Sequence, residues 1–276
     1  ARRQRQMCIR DRYYGLAAAQ AKEIMDNKAQ AGLVLTAEYS DLWKEDKKTE
    51  TNEVMFALQH SAKHKIASNY GKSYYPSDYS PNAGWADYYG NEDFFKAYPN
   101  DDRKEWNYMT EWKIKSGEII PYTESADKLP AISKYYDYDE GAPGKSAQSN
   151  GITCIYRYAE VLLMYAEAST RATNSVNQDA LNAIQEVQKR AGYQDRQIEL
   201  TTTTEPTAFL AAVSNERGWE FFAEMKRWFE LVRLEKVKEV RAEEWDASTF
   251  NTNHHYYFPV PYQQVDLAGW TNNAGY

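Results

Sequence analysis

IYRYAEVLLMYAEA, residues 155–168, is the stretch that decides the fold. Ile155, Tyr158, Ala159, Leu162, Tyr165 and Ala166 recur at the 3.6-residue period of an amphipathic helix, expected over 155–169. QDALNAIQEVQKRAGY (178–193) repeats the pattern at Ala180, Ala183, Ile184, Val187 and Ala191. Lys189 and Arg190 occupy its last turn, and Gly192 follows as a C-terminal stop. TTTTEP (201–206) then offers N-cap hydroxyls to a long helix expected over about 206–235. Helices that bury their faces on one another make a mainly α chain. The spacing between 155 and 190 fits one tetratricopeptide-like unit of ~34 residues.

Upstream, Tyr13, Leu16, Ala17, Ala21 and Ile24 predict a helix over 13–28. A short helix is expected near 37–45, and a short buried element, strand or helix, at 52–58. From 70 to 150 the pattern changes. Gly, Pro, Ser, Asn and Asp recur every few residues with Tyr and Trp between them, as in GKSYYPSDYSPNAGWADYYG (71–90). This reads as a loop-rich cap with no helical period and short strands near 107–114 and 130–135. A loop region of that length in a compact chain is usually functional. The tail HYYFPVPYQQVDLAGWTNNAGY (255–276) holds two prolines and two glycines and reads as an extended strap rather than a helix.

The first twelve residues, ARRQRQMCIRDR, carry five arginines and one aspartate with no strand or helix period. They resemble translated adapter sequence and read as a non-native segment. The native part, 13–276, is then one domain: the cap at 70–150 and a helical and strap region at 151–276. The chain reads as truncated at its N-terminus.

Net charge is -7 over 276 residues, which argues against nucleic-acid binding. No apolar run approaches the ~18 residues that would predict a membrane-spanning helix. Two cysteines cannot build a disulfide scaffold or a structural zinc site. Cys154 reads as a buried free thiol. No phosphate loop, nucleophile elbow or Cys-x-x-Cys pair occurs, so no cofactor or catalytic residue is assigned.

Two clusters invite a chemical reading. Glu216, Glu220 and Glu224 with Arg217, Arg227, Glu230 and Arg233 could supply a glycosidase acid and base. Their three- and four-residue spacing instead predicts helical ion pairs, and Arg157 with Glu160 reads the same way. His60 and His64, at i and i+4, could bind a metal, but no third ligand is evident, and a solvated helix face is expected.

Aromatic content remains: 23 Tyr, 9 Phe and 8 Trp exceed the needs of a core and predict exposed rings. Sugars offer C–H faces that pack on Tyr and Trp, and hydroxyls that need Asn or Asp. The candidate ligand residues are therefore Tyr75, Asn82, Trp85, Asp87, Tyr88 and Tyr89.

The C-terminal blocks resemble the SusD/RagB family. IYRYAEVLLMYAEA (155–168) is similar to its Arg-x-Ala-Glu run ending in Ala-Glu-Ala. LNAIQEVQKRAGY (181–193) is similar to its Leu-Asn-x-(Ile/Val)-Arg-x-Arg-Ala-Gly segment, with Gln188 near a usual Arg. NERGWEFFAEMKRWFELVR (215–233) resembles its Glu-Arg helix, with Met225-Lys226 where Gly-x is usual. YYFPVPYQQVDLAGWTNNAGY (256–276) resembles its closing segment, departing at Asp266 and Ala274. The resemblance implies a tetratricopeptide-like scaffold and a surface protein of the outer membrane. It implies oligosaccharide or polysaccharide as ligand and a TonB-dependent, SusC-like transporter as partner, with a lipid anchor in the missing N-terminal part. It transfers no specific ligand residue. A helical-repeat module for peptide or another nutrient is the alternative; a glycoside hydrolase ranks lower, for want of two convergent carboxylates on loops.

Overall fold

The computed structural model describes residues 2–80, 83–135, 148–240, 252–273 and 275–276. It divides into two compact units, 1–224 and 225–276.

The first unit is organised around helix α6 (Tyr158–Thr173). Helices α1 (Arg2–Asp26), α7 (Gln178–Arg190) and α8 (Pro206–Glu220) pack against it. Enclosed on three sides, α6 buries nearly its whole surface: Tyr158, Ala159, Leu162, Leu163 and Ala166 are inaccessible. Ile184 and Val187 of α7 and Phe209 and Val213 of α8 complete the core. Each large apolar side chain so buried contributes about 1.5–3 kcal/mol.

Helix boundaries follow local chemistry. Asn177 caps α7 by accepting from the Ala180 amide at 2.7 Å, and Gly192, at φ +82°, ends it as expected. The cap of α8 is the Glu205 carboxylate, which accepts from the amides of Thr207 and Ala208, rather than a threonine hydroxyl. α1 is helical from Arg2, through the segment expected to lack a period, and a short turn, α2 (Lys28–Ala31), follows it.

Three expectations are corrected. Residues 155–157 belong to strand β6 (Ile152–Arg157), whose β-branched and aromatic residues favour extended backbone, so the helix begins at Tyr158. β6 pairs antiparallel with β1 (Val54–Gln59). The 52–58 element is therefore a strand, but it is not buried: the ribbon has two strands and one covered face, leaving Met55, Phe56 and Leu58 exposed. His60 and His64 lie in the turn after β1, not on a helix. The His60 ring sits 2.8 Å from the Thr153 hydroxyl and 3.1 Å from the Ile66 carbonyl.

A 3-10 turn (Tyr39–Leu42) stands where a short helix was expected, beneath the cap, and the cap contains three short helices that periodicity did not reveal: α3 (Tyr70–Tyr74), α4 (Glu92–Ala97) and α5 (Asp102–Asn107). Side-chain caps explain two of them: Asn91 accepts from Phe94, and Asp101 from Arg103 and Lys104. Two small antiparallel pairs follow; three of their strands fall where strands were expected, and the fourth, at 119–121, was not anticipated. The pairs are β2 (Tyr108–Met109) with β5 (Ala131–Ile132), and β3 (Glu111–Lys113) with β4 (Ile119–Pro121). Beneath the cap lies a second, aromatic core of Tyr39, Trp43, Tyr74 and Tyr135 with Leu42, Ile132, Ile152 and Cys154. Much of the aromatic excess is thus interior. Burial pushes the Cys154 thiol up to about 12, an inert core thiol as expected.

The helix expected over 206–235 breaks after Glu220 and resumes as α9 (Arg227–Arg233) and α10 (Val237–Val240). Side chains from other elements take the freed carbonyls. Arg157 donates to the Glu220 carbonyl, Lys134 to Phe222 and Tyr135 to Ala223. Ala223 and Met225 adopt left-handed backbone, φ +58° and +60°. That conformation explains why glycine suits position 225, and Met225→Gly is expected to raise stability by up to about 1 kcal/mol in urea unfolding. A lower midpoint for the glycine variant would refute the strain.

In the second unit, the tail is not wholly extended. Thr252–His255 forms α11, and Tyr262–Ala268 forms α12, which starts after Pro261 and ends at Gly269, φ +66°. Proline and glycine bracket a helix here instead of forbidding one. Asn272 accepts from the Val260 amide at 2.8 Å and Asn273 donates to the Phe258 carbonyl, closing the strap on itself. Ala274 and most of 135–151 lie outside the described residues.

Candidate functional site

Residues 84–90 form a loop laid back along α3. The Trp85 amide donates to the Lys72 carbonyl at 2.7 Å, Ala86 to Tyr75 at 3.0 Å and Asp87 to Ser73 at 2.9 Å; Gly90 donates to Pro130 at 2.9 Å. So close an approach requires glycine at both ends. A Cβ on Gly84 would lie 2.1 Å from the Tyr75 carbonyl oxygen, and one on Gly90 2.4 Å from the Tyr108 ring. With its backbone tied inward, the loop turns Trp85 and Tyr88 outward, 51% and 61% exposed.

Both rings are held from behind. The Lys72 ammonium lies 4.8 Å from the centre of the Trp85 ring. Tyr88 leans on buried Tyr74, ring centres 5.8 Å apart, and Tyr74 stacks on Tyr135. Asp87 is exposed between them. Tyr89 is half-buried and its hydroxyl donates to Asp127 at 2.5 Å. Burial first, then that bond and the nearby charges of Asp127 and Asp78, hold the Tyr89 proton well above the usual phenol range.

Of the residues selected from sequence, the structure therefore gathers Trp85, Asp87, Tyr88 and Tyr89 on one loop. Tyr75 leaves the set: it is 1% exposed, with its ring against Tyr79, and presents no face to a ligand. Asn82 lies outside the described residues. Lys72 and Asp127 were missed. Lys72 sits thirteen positions before the ring it touches and Asp127 thirty-eight after the hydroxyl it accepts from, separations that no local pattern reports.

The glutamate cluster has a different character. Glu216, Glu220 and Glu224 have fully buried side chains. Their partners come from far along the chain. Arg103 donates to Glu216 at 2.6 Å, to Glu220 at 2.8 Å and to Asp101 at 2.6 Å. Arg157 reaches Glu53 at 2.7 Å, Glu224 at 2.9 Å and Glu220. Arg190 joins Glu53 at 2.7 Å and Glu220, and Lys134 meets Glu224 at 2.7 Å. The expected helical pairing holds for Arg227 with Glu230, 3.0 Å. It fails for Arg157 with Glu160: Arg157 precedes the helix, and Glu160 lies 3.7 Å from Arg217.

Burial alone would raise the Glu220 carboxyl, but Arg190, Arg157 and Arg103 outweigh it and hold it well below the carboxylate range. At Glu216 burial outweighs Arg103, and its value rises. Burial lowers Lys134 to about 8 despite Glu224. Sealed from solvent, these carboxylates cannot serve as an acid–base pair on a substrate; their geometry joins cap to scaffold. Among the described residues, no group of His, Cys, Asp and Glu could hold a metal ion, and no helix is long and apolar enough to cross a membrane.

The chain is 26% identical to SusD-like protein P2 of Formosa agariphila, over 94% of this chain and 55% of that protein. It superposes on a SusD superfamily protein from Parabacteroides distasonis with TM-score 0.77 and 22% identity, covering 96% of this chain and 58% of the other. It superposes on surface glycan-binding protein A from Bacteroides thetaiotaomicron, solved with laminarihexaose, with TM-score 0.70 and 24% identity, covering 95% and 60%. The chain thus spans rather more than half the length of these relatives. The helical scaffold with its short-stranded cap is their fold, and the SusD family model matches residues 46–276. The chain belongs to the SusD family.

Proposed function

We propose that the protein binds oligosaccharide or polysaccharide at the cell surface and passes it to a partner TonB-dependent transporter, without catalysis. The observation that carries this reading is the loop at 84–90, which holds Trp85 and Tyr88 half-open on a backbone fixed at both ends. A platform ordered before the ligand arrives avoids the entropy of ordering it on binding. The ring faces match the C–H faces of a sugar, while Asp87 and the Tyr89–Asp127 pair accept hydroxyl protons. The family, and the laminarihexaose bound by one structural relative, support a glycan in this role. The same reading sets the protein on the outer membrane beside a SusC-like transporter.

Trp85→Ala tests it. Loss of one central aromatic contact costs about 2 kcal/mol, some thirtyfold in affinity. Trp85 is half-exposed, so the thermal midpoint is expected to stay within a degree or two of wild type. Affinity electrophoresis in polysaccharide gels reads both proteins side by side. Unchanged retention of Trp85→Ala would remove the loop from the binding site.

A further inference from the structure

We propose that the Trp85–Tyr88 platform takes neutral polysaccharide and rejects chains bearing uronate or sulfate. The inference rests on the platform reading and adds the ligand's charge class to it.

One carboxylate, Asp87, lies between the two rings in sequence, and two more, Asp127 and Asp78, lie beside neighbouring Tyr89. Asp87 is exposed between Trp85 and Tyr88. Asp127 accepts from the Tyr89 hydroxyl at 2.5 Å, and Asp78 from the Trp112 indole at 2.8 Å. Both donors are neutral, so neither charge is cancelled, and none of the three carboxylates has a cationic partner among the described residues. The surface contrasts with the side of the cap where Arg196 neutralises Asp102 and Glu105 at 2.6 and 2.7 Å.

One cation touches the platform, and a second adjoins Asp127 in sequence. Lys72 places its ammonium over the Trp85 ring, 4.8 Å from the centroid, and so braces one face of the indole. Lys128 is exposed and adjoins Asp127 in sequence, with Glu124 also exposed in the same turn. Among these described residues, carboxylates outnumber ammonium groups. Carboxylate oxygens accept strongly from sugar hydroxyls, giving charge-assisted bonds to a neutral chain. The same oxygens repel a uronate or sulfate ester brought to the rings, and the penalty weakens as salt screens it. The protein's overall charge of -7 adds long-range repulsion of the same sign.

The test uses the full chain in affinity electrophoresis at low and high salt. The neutral probes are laminarin, amylose and galactomannan; the acidic probes are alginate and polygalacturonate. Wild type, Trp85→Ala and Asp87→Asn are run together, each with a thermal melt. The expected result is retention by at least one neutral probe, lost in Trp85→Ala. Affinity for that probe should exceed the affinity for either acidic probe by at least about tenfold at low salt. That margin should narrow in high salt and in Asp87→Asn. Trp85-dependent binding of alginate or polygalacturonate, equal to or tighter than the neutral probes, would overturn the charge class and leave the platform standing. Binding of either class that ignores Trp85→Ala, or binding to none of the five probes, would overturn the platform itself and this inference with it.

Discussion

Arg157→Met is expected to cost about 5 kcal/mol of stability, a third or more of what a domain holds. Arg157 is inaccessible to solvent and binds three carboxylates at once, Glu53, Glu220 and Glu224, together with the Glu220 carbonyl. Removing it leaves buried negative charge facing buried negative charge. Breaking a buried pair by deleting one partner costs roughly 3–5 kcal/mol, against a total stability of about 5–15 kcal/mol for a domain. Three glutamates lose a partner here, so the cost lies at the upper end. Arg157→Lys should rescue little, because one ammonium cannot reproduce a planar fork that donates along several directions. Arg196→Ala is the control: its partners Asp102 and Glu105 are exposed, and such pairs are worth about 0–1 kcal/mol. Urea unfolding followed by circular dichroism compares the three. An Arg157→Met midpoint close to that of Arg196→Ala would show that the buried network contributes little to stability.

Gly84→Ala should abolish the saccharide binding proposed for the 84–90 loop while the helical scaffold stays folded. The added Cβ would stand 2.1 Å from the Tyr75 carbonyl oxygen, a backbone atom that cannot swing aside. Atoms in van der Waals contact need 3.5–4.0 Å, so loop and α3 must separate by more than 1 Å. That separation breaks the Trp85 to Lys72 and Ala86 to Tyr75 hydrogen bonds, and with them the bracing of Trp85. The effect on binding should equal or exceed that of Trp85→Ala, because Tyr88 moves too. Gly15→Ala provides the contrast. Nothing lies within 4 Å of a Cβ at Gly15, which sits inside α1, so alanine there should stabilise by roughly 0.5–1 kcal/mol. Tryptophan emission and gel retention report the loop, and far-ultraviolet circular dichroism the scaffold. Full retention by Gly84→Ala would mean that the loop is not held as described.

The residues that proved readable and those that did not differ in one respect. Ala180, Ala183, Ile184 and Val187 were legible as a buried face, because helical period places them there whatever they touch. Trp85 and Tyr88 were legible as candidates, because aromatic rings in a Gly- and Pro-rich segment are seldom all consumed by a core. Tyr75, ten positions from Trp85 and of the same chemistry, was not distinguishable from them by sequence. It is interior because α3 turns it beneath the loop. The break at 221–226 was hidden as well. Apolar residues continue through it, and only carbonyls claimed by Lys134, Tyr135 and Arg157 make the interruption favourable.

By itself the sequence determined a mainly α scaffold, its principal helices α1, α6, α7 and α8, a cap rich in loops and aromatics, and family membership through blocks between 155 and 276. Each of these rests on interactions within a few residues, where spacing along the chain is spacing in space. Tertiary structure alone decided which glutamate meets which arginine, across as many as 137 positions for Arg190 and Glu53. It also decided which tyrosines face solvent. Those outcomes depend on which elements come to lie side by side. Buried charge must find its counter-ion wherever packing delivers one, because the interior offers no water to take its place.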